Sequence, residues 1–259
     1  MNLQMLKKAL IAYTSNTARA IWSALSYPCI IPSTKACNVK DYKIHGAEGG
    51  VGDKNESGKY AIPIVVRGKN YFNVNDIPFN TSTTKPYNNG MIATRVSTNL
   101  YTNRVPIDVP AGKRLTISFD VADFVINGES TNFRVGFYGT NGDTLSNPAI
   151  SVSKAHKTHS FTPKEKVANM RFYFVGNGST SGDSVTVDNI MIRTEGEDVW
   201  EAYVKPVTVD VISPISLKEG ETIQKSVDGL PDLPQFSGTT IYETTTTVAP
   251  SGIEVQYYE

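Results

Sequence analysis

The residues with the widest chemical scope are two histidines and five aspartates in the middle of the chain. His156 and His159 are spaced as His-x-x-His, a pattern that could suggest a metal site. In an extended chain, however, residues three apart point to opposite faces, and no third ligand is close in sequence. Paired carboxylates could hydrolyse glycosidic bonds, but the sequence spacing brings no two together among Asp120, Asp123, Asp143, Asp183 and Asp188. We therefore expect no metal site and no enzyme.

Other signals of catalysis, nucleic-acid binding or membrane insertion are also missing from the sequence. It contains neither a Gly-x-Ser-x-Gly elbow nor a phosphate-cradling Gly-x-x-x-x-Gly-Lys loop. The 25 basic and 25 acidic residues balance, which disfavours capture of nucleic acid by net charge. No apolar run reaches the roughly 18 residues of a membrane span. The first residues also lack the long apolar run of a signal peptide, so we expect synthesis in a host cytoplasm without one.

Four side chains on two predicted strands make saccharide binding the better candidate. Arg134 and Tyr138 take outward positions on the strand predicted for 133–138, and Arg171 and Tyr173 do so on the next predicted strand. Flat aromatic rings can contact the apolar face of a sugar, and guanidinium groups can donate to its hydroxyls. The alternative is that this outer face packs on another subunit or is exposed to solvent.

Alternating apolar residues predict the strands that position these side chains. The segments 114–121, 133–138, 170–175 and 184–192 each show period-two patterning with one buried face. The last two flank a Gly/Ser/Asn turn, which predicts an antiparallel pair within one sheet. We interpret residues 69–204 as a jelly-roll-like β-sandwich. Its predicted core contains Leu115, Ile117, Phe119, Val121, Phe133, Val135, Phe137, Met170, Phe172 and Phe174.

The segments on either side of the predicted sandwich are similar in pattern. Residues 29–68 form a linker and lead-in strands, and 205–259 form a small C-terminal β-module. The strand at 60–67 resembles the one at 205–211, so we expect the two to pair and the sandwich to interrupt a smaller β-unit. Within the C-terminal module, two alternating segments separated by a Pro/Gly turn predict a hairpin; they are 239–244 and 253–258.

The first 28 residues are predicted to form an α-helix. Apolar residues recur at steps of three and four, and a second stripe widens the apolar surface. Such a helix either packs on its own domain or attaches the protein to copies of itself or to a larger particle. We expect attachment, with a homotrimer as the favoured oligomer. The residues assigned to it are Leu3, Leu6, Leu10, Tyr13, Ile21 and Leu25.

Three stretches, taken in order, resemble tail proteins of bacteriophages that infect Gram-positive hosts. They are 58–70, then 187–203, then 230–258. The middle region resembles the carbohydrate-binding-module-like β-sandwich that many phage tail and baseplate proteins carry. The resemblance implies a virion structural protein in the tail, baseplate or fibre, which has other virion proteins as partners and contacts host-surface glycan. A head or collar decoration protein and a dedicated host-receptor lectin remain as alternatives.

The same resemblance bears on a structural calcium ion. Carbohydrate-binding sandwiches commonly hold one, and Asp188 lies where such families often have an acidic residue. In this chain Asn189 follows instead of a second carboxylate. We therefore expect no cofactor.

Overall fold

The chain is a mainly β protein that divides into two compact units. The computed structural model describes residues 20–25, 29–31, 38–80, 82–95, 99–127, 132–175, 182–225, 230–244 and 252–258. Unit 1 consists of residues 1–68 and 204–259, and unit 2 consists of residues 69–203. Unit 2 is therefore continuous in sequence, whereas unit 1 is assembled from two separate segments.

Unit 1 is built from two antiparallel sheets. Its first segment contains β1 (Ala20–Leu25), β2 (Cys29–Ile31), β3 (Asn38–His45), β4 (Asp53–Lys54) and β5 (Tyr60–Gly68). Unit 2 contributes β6 to β16, given below, so the second segment of unit 1 contains β17 (Val207–Ser213), β18 (Thr222–Gln224), β19 (Thr240–Thr244) and β20 (Gly252–Tyr258). One sheet has the order β1-β20-β3-β18. The other has the order β17-β5-β19-β2, with β4 also pairing with β5.

The predicted pairing of the two similar flanking strands is confirmed. β5 and β17 are antiparallel neighbours in a register that runs from Val66 opposite Val207 to Tyr60 opposite Ser213. Alternate residues of β5, namely Ile62, Ile64 and Val66, are buried in the core of unit 1.

The hydroxyl groups of two buried tyrosines in unit 1 donate hydrogen bonds to one proline-containing segment. The Tyr42 hydroxyl donates to the Pro231 carbonyl oxygen at 2.7 Å, and the Tyr242 hydroxyl donates to the Pro234 carbonyl oxygen at 3.0 Å. Because a buried hydroxyl without a partner destabilises the fold, these bonds let both rings lie in the apolar interior. The buried residues around them are Ile44, Ala47, Val51, Ile62, Ile64, Val66, Val211, Leu217, Ile223, Leu233, Ile253 and Val255.

Unit 2 is a pair of antiparallel sheets around a second core. Its elements are a 3₁₀ turn (Val74–Asp76), β6 (Thr84–Tyr87), β7 (Gly90–Thr94), β8 (Asn99–Tyr101), β9 (Val105–Val109), β10 (Leu115–Val125), β11 (Asn132–Tyr138), β12 (Thr144–Ser146), β13 (Ala149–Ile150), β14 (His156–Phe161), β15 (Val167–Val175) and β16 (Ser184–Arg193). The first sheet has the order β14-β10-β16-β7-β6. The second has the order β12-β11-β15-β8, with β13 on β11 and β9 on β15. The jelly-roll topology proposed above stays a prediction.

The residues that the alternation predicted to point inward are buried in the core of unit 2. All ten residues of the predicted core are at most 3% exposed. Aromatic contacts join the two sheets, since the Phe119 ring of β10 lies edge-on to Phe172 of β15 at 5.5 Å and to Phe133 of β11 at 6.4 Å. Phe133 and Phe172 are stacked on each other at 5.5 Å. Pairs of this geometry stabilise a core beyond the area that they bury.

The predicted pairing of the strands at 170–175 and 184–192 is wrong. β15 lies between β11 and β8 or β9, whereas β16 lies between β10 and β7 in the other sheet. The chain therefore crosses from one sheet to the other between them. Period-two patterning shows which face of a strand is buried but not which strand lies beside it, and a turn-rich segment can connect sheets as well as neighbours.

The predicted C-terminal hairpin is also wrong. β19 pairs with β5 and β2, while β20 pairs with β1 and β3 in the other sheet of unit 1. Each of the two strands is therefore flanked on both sides by strands from the first segment of the unit.

The predicted N-terminal helix is corrected over residues 20–25, which form β1. The strand pairs with β20 from Ala20 opposite Tyr258 to Leu25 opposite Ile253. Its backbone groups are thus satisfied by a ladder to another strand rather than within a helix, so Ile21 and Leu25 belong to a sheet. The positions Leu3, Leu6, Leu10 and Tyr13 lie outside the described residues. Within the described part of the chain, no helix has the length and apolar character needed to cross a membrane.

Candidate functional site: a cleft lined by arginine and tyrosine

The register of β11 and β15 brings the four predicted saccharide-binding residues together. Arg134 lies opposite Tyr173, and Gly136 lies opposite Arg171. Tyr138 follows two residues further along β11, on the same face. Because the alternate residues of both strands fill the core, these side chains stand on the outer face of the sheet.

The guanidinium group of Arg171 lies between two tyrosine rings. Its Cζ is 5.0 Å from the ring centroid of Tyr138 and 5.5 Å from that of Tyr173. Its Nε also donates to the Tyr138 hydroxyl at 2.9 Å. Gly136 makes room for this arrangement, since a Cβ there would lie 2.6 Å from the Tyr138 hydroxyl. Cation–π attraction and the hydrogen bond together hold Arg171 in place.

Two loop residues that the sequence did not single out complete the cluster. Arg104 covers the Tyr138 ring, with its Cζ 4.0 Å from the ring centroid. Asn147 accepts a hydrogen bond from the Tyr173 hydroxyl at its side-chain oxygen and one from Arg134 Nη1 at its main-chain oxygen, the latter at 3.0 Å. Burial raises the pKa of Tyr173, which keeps this phenol protonated as a donor.

These residues line an open cleft of about 470 Å³. Tyr138 and Tyr173 are only 4% and 5% exposed, whereas Arg104 is exposed and Arg134 and Arg171 are partly exposed. The surface that the cleft offers to a ligand is therefore mainly guanidinium rather than aromatic. The structure brings the four predicted residues together, but it gives the tyrosine rings a supporting position beneath the arginines.

His156 stands on the other sheet of unit 2, between two carboxylates. Its Nδ1 is 2.7 Å from Asp120 Oδ1 and its Nε2 is 3.2 Å from Asp198 Oδ2. Arg193 donates to the other oxygen of Asp198 at 2.8 Å. The hydrogen bond with Asp120 raises the pKa of His156, which favours the imidazolium form that donates to both carboxylates.

His159 points away from this group, as expected for a residue three positions along a strand. Its Nε2 is 3.3 Å from Ser146 Oγ, and its ring is stacked on Phe161 at 6.0 Å. Burial lowers the pKa of His159, which favours the neutral imidazole. Among the described residues, no group of three or more His, Cys, Asp or Glu side chains is arranged to hold a metal ion.

Two further aspartates considered for hydrolysis are engaged with separate cations. Asp123 pairs with Lys154 at 2.8 Å on the surface. Asp183 pairs with Arg95 at 3.4 Å in the interior of unit 2.

Asp188, the position considered for calcium, accepts hydrogen bonds from N–H donors. Oδ1 accepts from the main-chain nitrogens of Asn89 at 2.9 Å and Asn189 at 2.8 Å, and Oδ2 accepts from Asn88 Nδ2 at 3.0 Å. Asn88 and Asn189 have φ values of 40° and 50°, a region that asparagine tolerates better than most residues. The described contacts therefore assign Asp188 to bracing the turn between β6 and β7 and the irregularity of β16 at Asn189.

A second opening, of about 330 Å³, lies on the sheet that carries His156. Its lining mixes both charges with hydroxyl groups, including Arg193, Asp198, Thr116 and Ser160. Thr116 and Ser160 are hydrogen-bonded to each other at 2.8 Å. Because Arg193 is paired with Asp198 and Glu195 is paired with Lys113, this opening gives a weaker indication of ligand chemistry than the arginine cleft.

Comparisons with known proteins do not assign the chain to a family. No protein-family model and no curated protein matches it. Among solved structures, it is similar to the enzymatically active domain of tailspike protein 4 of bacteriophage CBA120 (16% identity, 57% of this chain, 21% of that one, TM-score 0.28). It is also similar to the VP2 subviral particle of infectious bursal disease virus (10% identity, 95% of this chain, 80% of that one, TM-score 0.28). A further similar structure is that of the Gx strain of the same virus (9% identity, 96% of this chain, 82% of that one, TM-score 0.25). The chain thus spans about a fifth of the tailspike domain, and TM-scores this low do not establish a common fold.

Proposed function

We propose that the protein is a structural component of a tailed-phage virion, located in the tail, baseplate or fibre. In this proposal unit 2 projects from the particle and contacts glycan on the host surface through the cleft of Arg134, Tyr138, Arg171 and Tyr173. The protein catalyses no reaction, assembles as a homotrimer and has other virion proteins as its partners. Its unit 2 has the jelly-roll topology of a carbohydrate-binding-like sandwich.

One observation supports the virion role above the others. The three stretches that resemble phage tail proteins coincide with β5, with β16 and the segment after it, and with the region that carries β19 and β20. They therefore cover the strand that leads into unit 2, the end of unit 2 and the closing strands of unit 1. A protein of this build suits a spacer or contact module in a repeated assembly.

Localisation in purified particles tests the virion role. Particles from the phage or prophage that encodes the chain would be analysed by mass spectrometry and labelled with gold-conjugated antibody for electron microscopy. We expect label at the tail, baseplate or fibre. Label at the head or collar would favour a decoration protein, and absence of the protein from intact particles would refute the proposal.

A dedicated host-receptor lectin is the second candidate, and the cleft is the observation that favours it. Purified protein would be incubated with host cell walls and with a glycan array. Loss of binding in Tyr138→Ala and Tyr173→Ala, which remove the supports of Arg171, would favour a lectin. Wild-type protein that binds no sugar at millimolar concentration would exclude this candidate.

A further inference from the structure

The cleft on unit 2 carries three guanidinium groups and no carboxylate among its described lining residues. Arg104, Arg134 and Arg171 lie around one opening. An anion in it would meet like-signed charges on several sides, which raises the local potential more than isolated surface arginines do. The net charge of the chain is zero, so this concentration of positive charge is local.

Two of these arginines retain hydrogen-bonding capacity for a ligand. Arg104 Nη2 donates to the Gly142 carbonyl oxygen at a long 3.4 Å, and Arg134 Nη1 donates to the Asn147 carbonyl oxygen at 3.0 Å. Within the described part of the chain, no carboxylate forms a salt bridge with either group. A guanidinium carries five N–H donors in a planar fork, so most donors of both remain for a partner in the cleft.

The tyrosines in the cleft are placed to hold arginines rather than to stack on a sugar ring. Tyr138 has Arg104 over its ring and Arg171 bonded to its hydroxyl. Tyr173 lies beside Arg171 and is fixed by Asn147. Since both rings are almost fully buried, a neutral sugar would find little free aromatic face.

We propose, building on the glycan contact proposed above, that the cleft binds an anionic group of a saccharide, either a carboxylate or a phosphate ester. Arg104 and Arg134 contact the anion through fork-shaped hydrogen bonds, and Arg171 with the two tyrosines fixes the floor on which it rests. Guanidinium groups match the planar oxygens of a carboxylate and the tetrahedral oxygens of a phosphate with two parallel bonds. A cleft of about 470 Å³ is in the size range of small-ligand sites.

Calorimetric titration of the full chain tests this inference. The probes are a trigalacturonate, its carboxyl-reduced neutral counterpart and a short poly(glycerol phosphate), each at low and high salt. We expect at least one acidic probe to bind and the neutral one not to bind, with affinity that falls as salt rises. Binding of the uronate identifies a carboxylate ligand, and binding of the phosphate polymer identifies a phosphate ligand.

Matched arginine variants locate the binding. Arg104→Gln and Arg134→Gln should each weaken binding about tenfold or more, because each removes charge-assisted hydrogen bonds. Arg114→Gln makes the same charge change at an exposed arginine of the opposite opening and should leave affinity unchanged. Arg134→Lys keeps the charge but loses the fork and should fall between wild type and Arg134→Gln. Circular dichroism and thermal melts of each variant verify folding.

The outcomes separate this inference from the proposed function. Equal binding of the neutral and acidic probes, or undiminished affinity in a folded Arg104→Gln, Arg134→Gln double variant, would overturn the anion inference and leave glycan contact standing. If no probe binds and the protein is nevertheless present in tails, the anion inference and the proposed glycan contact are both refuted. The proposed structural role in the virion would then still stand. Arginine-dependent binding of an acidic probe by a protein absent from particles would support the inference and refute the virion role.

Discussion

The ion pair of Arg95 and Asp183 gives the sharpest test of the interior of unit 2. Arg95 is 1% exposed and Asp183 is fully buried, and Arg95 Nη1 lies 3.4 Å from Asp183 Oδ2. Oδ1 of the same carboxylate accepts from the main-chain nitrogen of Asn127 at 2.7 Å. The backbones are joined as well, since Arg95 N donates to the Asp183 carbonyl oxygen at 2.7 Å. One carboxylate therefore fixes two neighbouring chain segments.

We expect removal of either charge to destabilise unit 2 strongly. Arg95→Met removes the guanidinium that faces the buried carboxylate, which costs about 3–5 kcal/mol in the free energy of unfolding. For a unit of this size, such a loss lowers the melting temperature by about 10–15 °C. Asp183→Asn keeps an acceptor for Asn127 but removes the negative charge that faces the buried guanidinium, at a similar cost. The double variant removes both members of this buried pair, so its cost should be smaller than the sum of the two by about 2–3 kcal/mol.

Denaturant unfolding and calorimetry of the four proteins in this cycle measure the coupling. Lys154→Met is the matched control, because it breaks a pair with Asp123 in which both side chains are more than 60% exposed. That control should leave stability unchanged within error. Additive losses in the cycle, or an Arg95→Met protein as stable as the control, would refute the reasoning.

Two further predictions concern pH and a buried phenol. Asp120 and Asp198 raise the pKa of His156, so the imidazolium stabilises the fold below an unfolded-state pKa of about 6.5, and this contribution is lost as pH rises through the folded-state value. His156→Gln should therefore narrow the difference in melting temperature between pH 5.5 and pH 8.5, and an unchanged difference would contradict the assignment. Burial raises the pKa of Tyr42 to about 12. The difference between the 295 nm titration curves of wild type and Tyr42→Phe should show one phenol ionising near that value, because the other tyrosines contribute to both curves. The variant also loses the hydrogen bond to Pro231 and about 1 kcal/mol of stability. A difference between the two curves that titrates near pH 10 would show that the ring is accessible.

Local patterning was sufficient to predict ten residues of the core of unit 2. Leu115, Phe119, Phe137 and Phe172 are all buried as the alternation required, because side-chain period is a property of a single strand with one covered face. Strand neighbours were harder to predict. The pairing of β5 with β17 was predicted correctly from the similar patterns of the two segments. The pairings assumed for β15 with β16 and for β19 with β20 were wrong.

The reason for these errors is that proximity in sequence was taken as proximity in a sheet. Strands next to each other along the chain often pair, but not always. Where two sheets pack together, the strand that follows a turn can belong to the same sheet or to the opposite one. The segment of β1 shows a related limit. Its apolar spacing matches a helical stripe over the preceding residues, while its partner, β20, lies at the other end of the chain.

Only some residues of the candidate site could be predicted from the sequence. Arg134 and Arg171 were found because they occupy outward positions of strands, whose register then places them together. Arg104 and Asn147 lie in loops, where no periodicity indicates direction, and they reach the cleft only through the fold. The covering of Tyr138 by Arg104 could not be inferred either, so exposed rings were expected where guanidinium groups lie.

The split of unit 1 into two segments has a consequence for synthesis on the ribosome. Every described pairing of β1, β2 and β3 is with β18, β19 or β20, so these strands emerge without the partners that complete their sheets. Unit 2 has all of its strands within 84–193 and can fold while the nascent chain is still growing. We expect a released chain truncated after residue 206 to contain a protease-resistant unit 2 and a protease-sensitive segment before it. Strands translated after unit 2 thus close strands translated before it, and unpaired edges that could join neighbouring nascent chains persist until then.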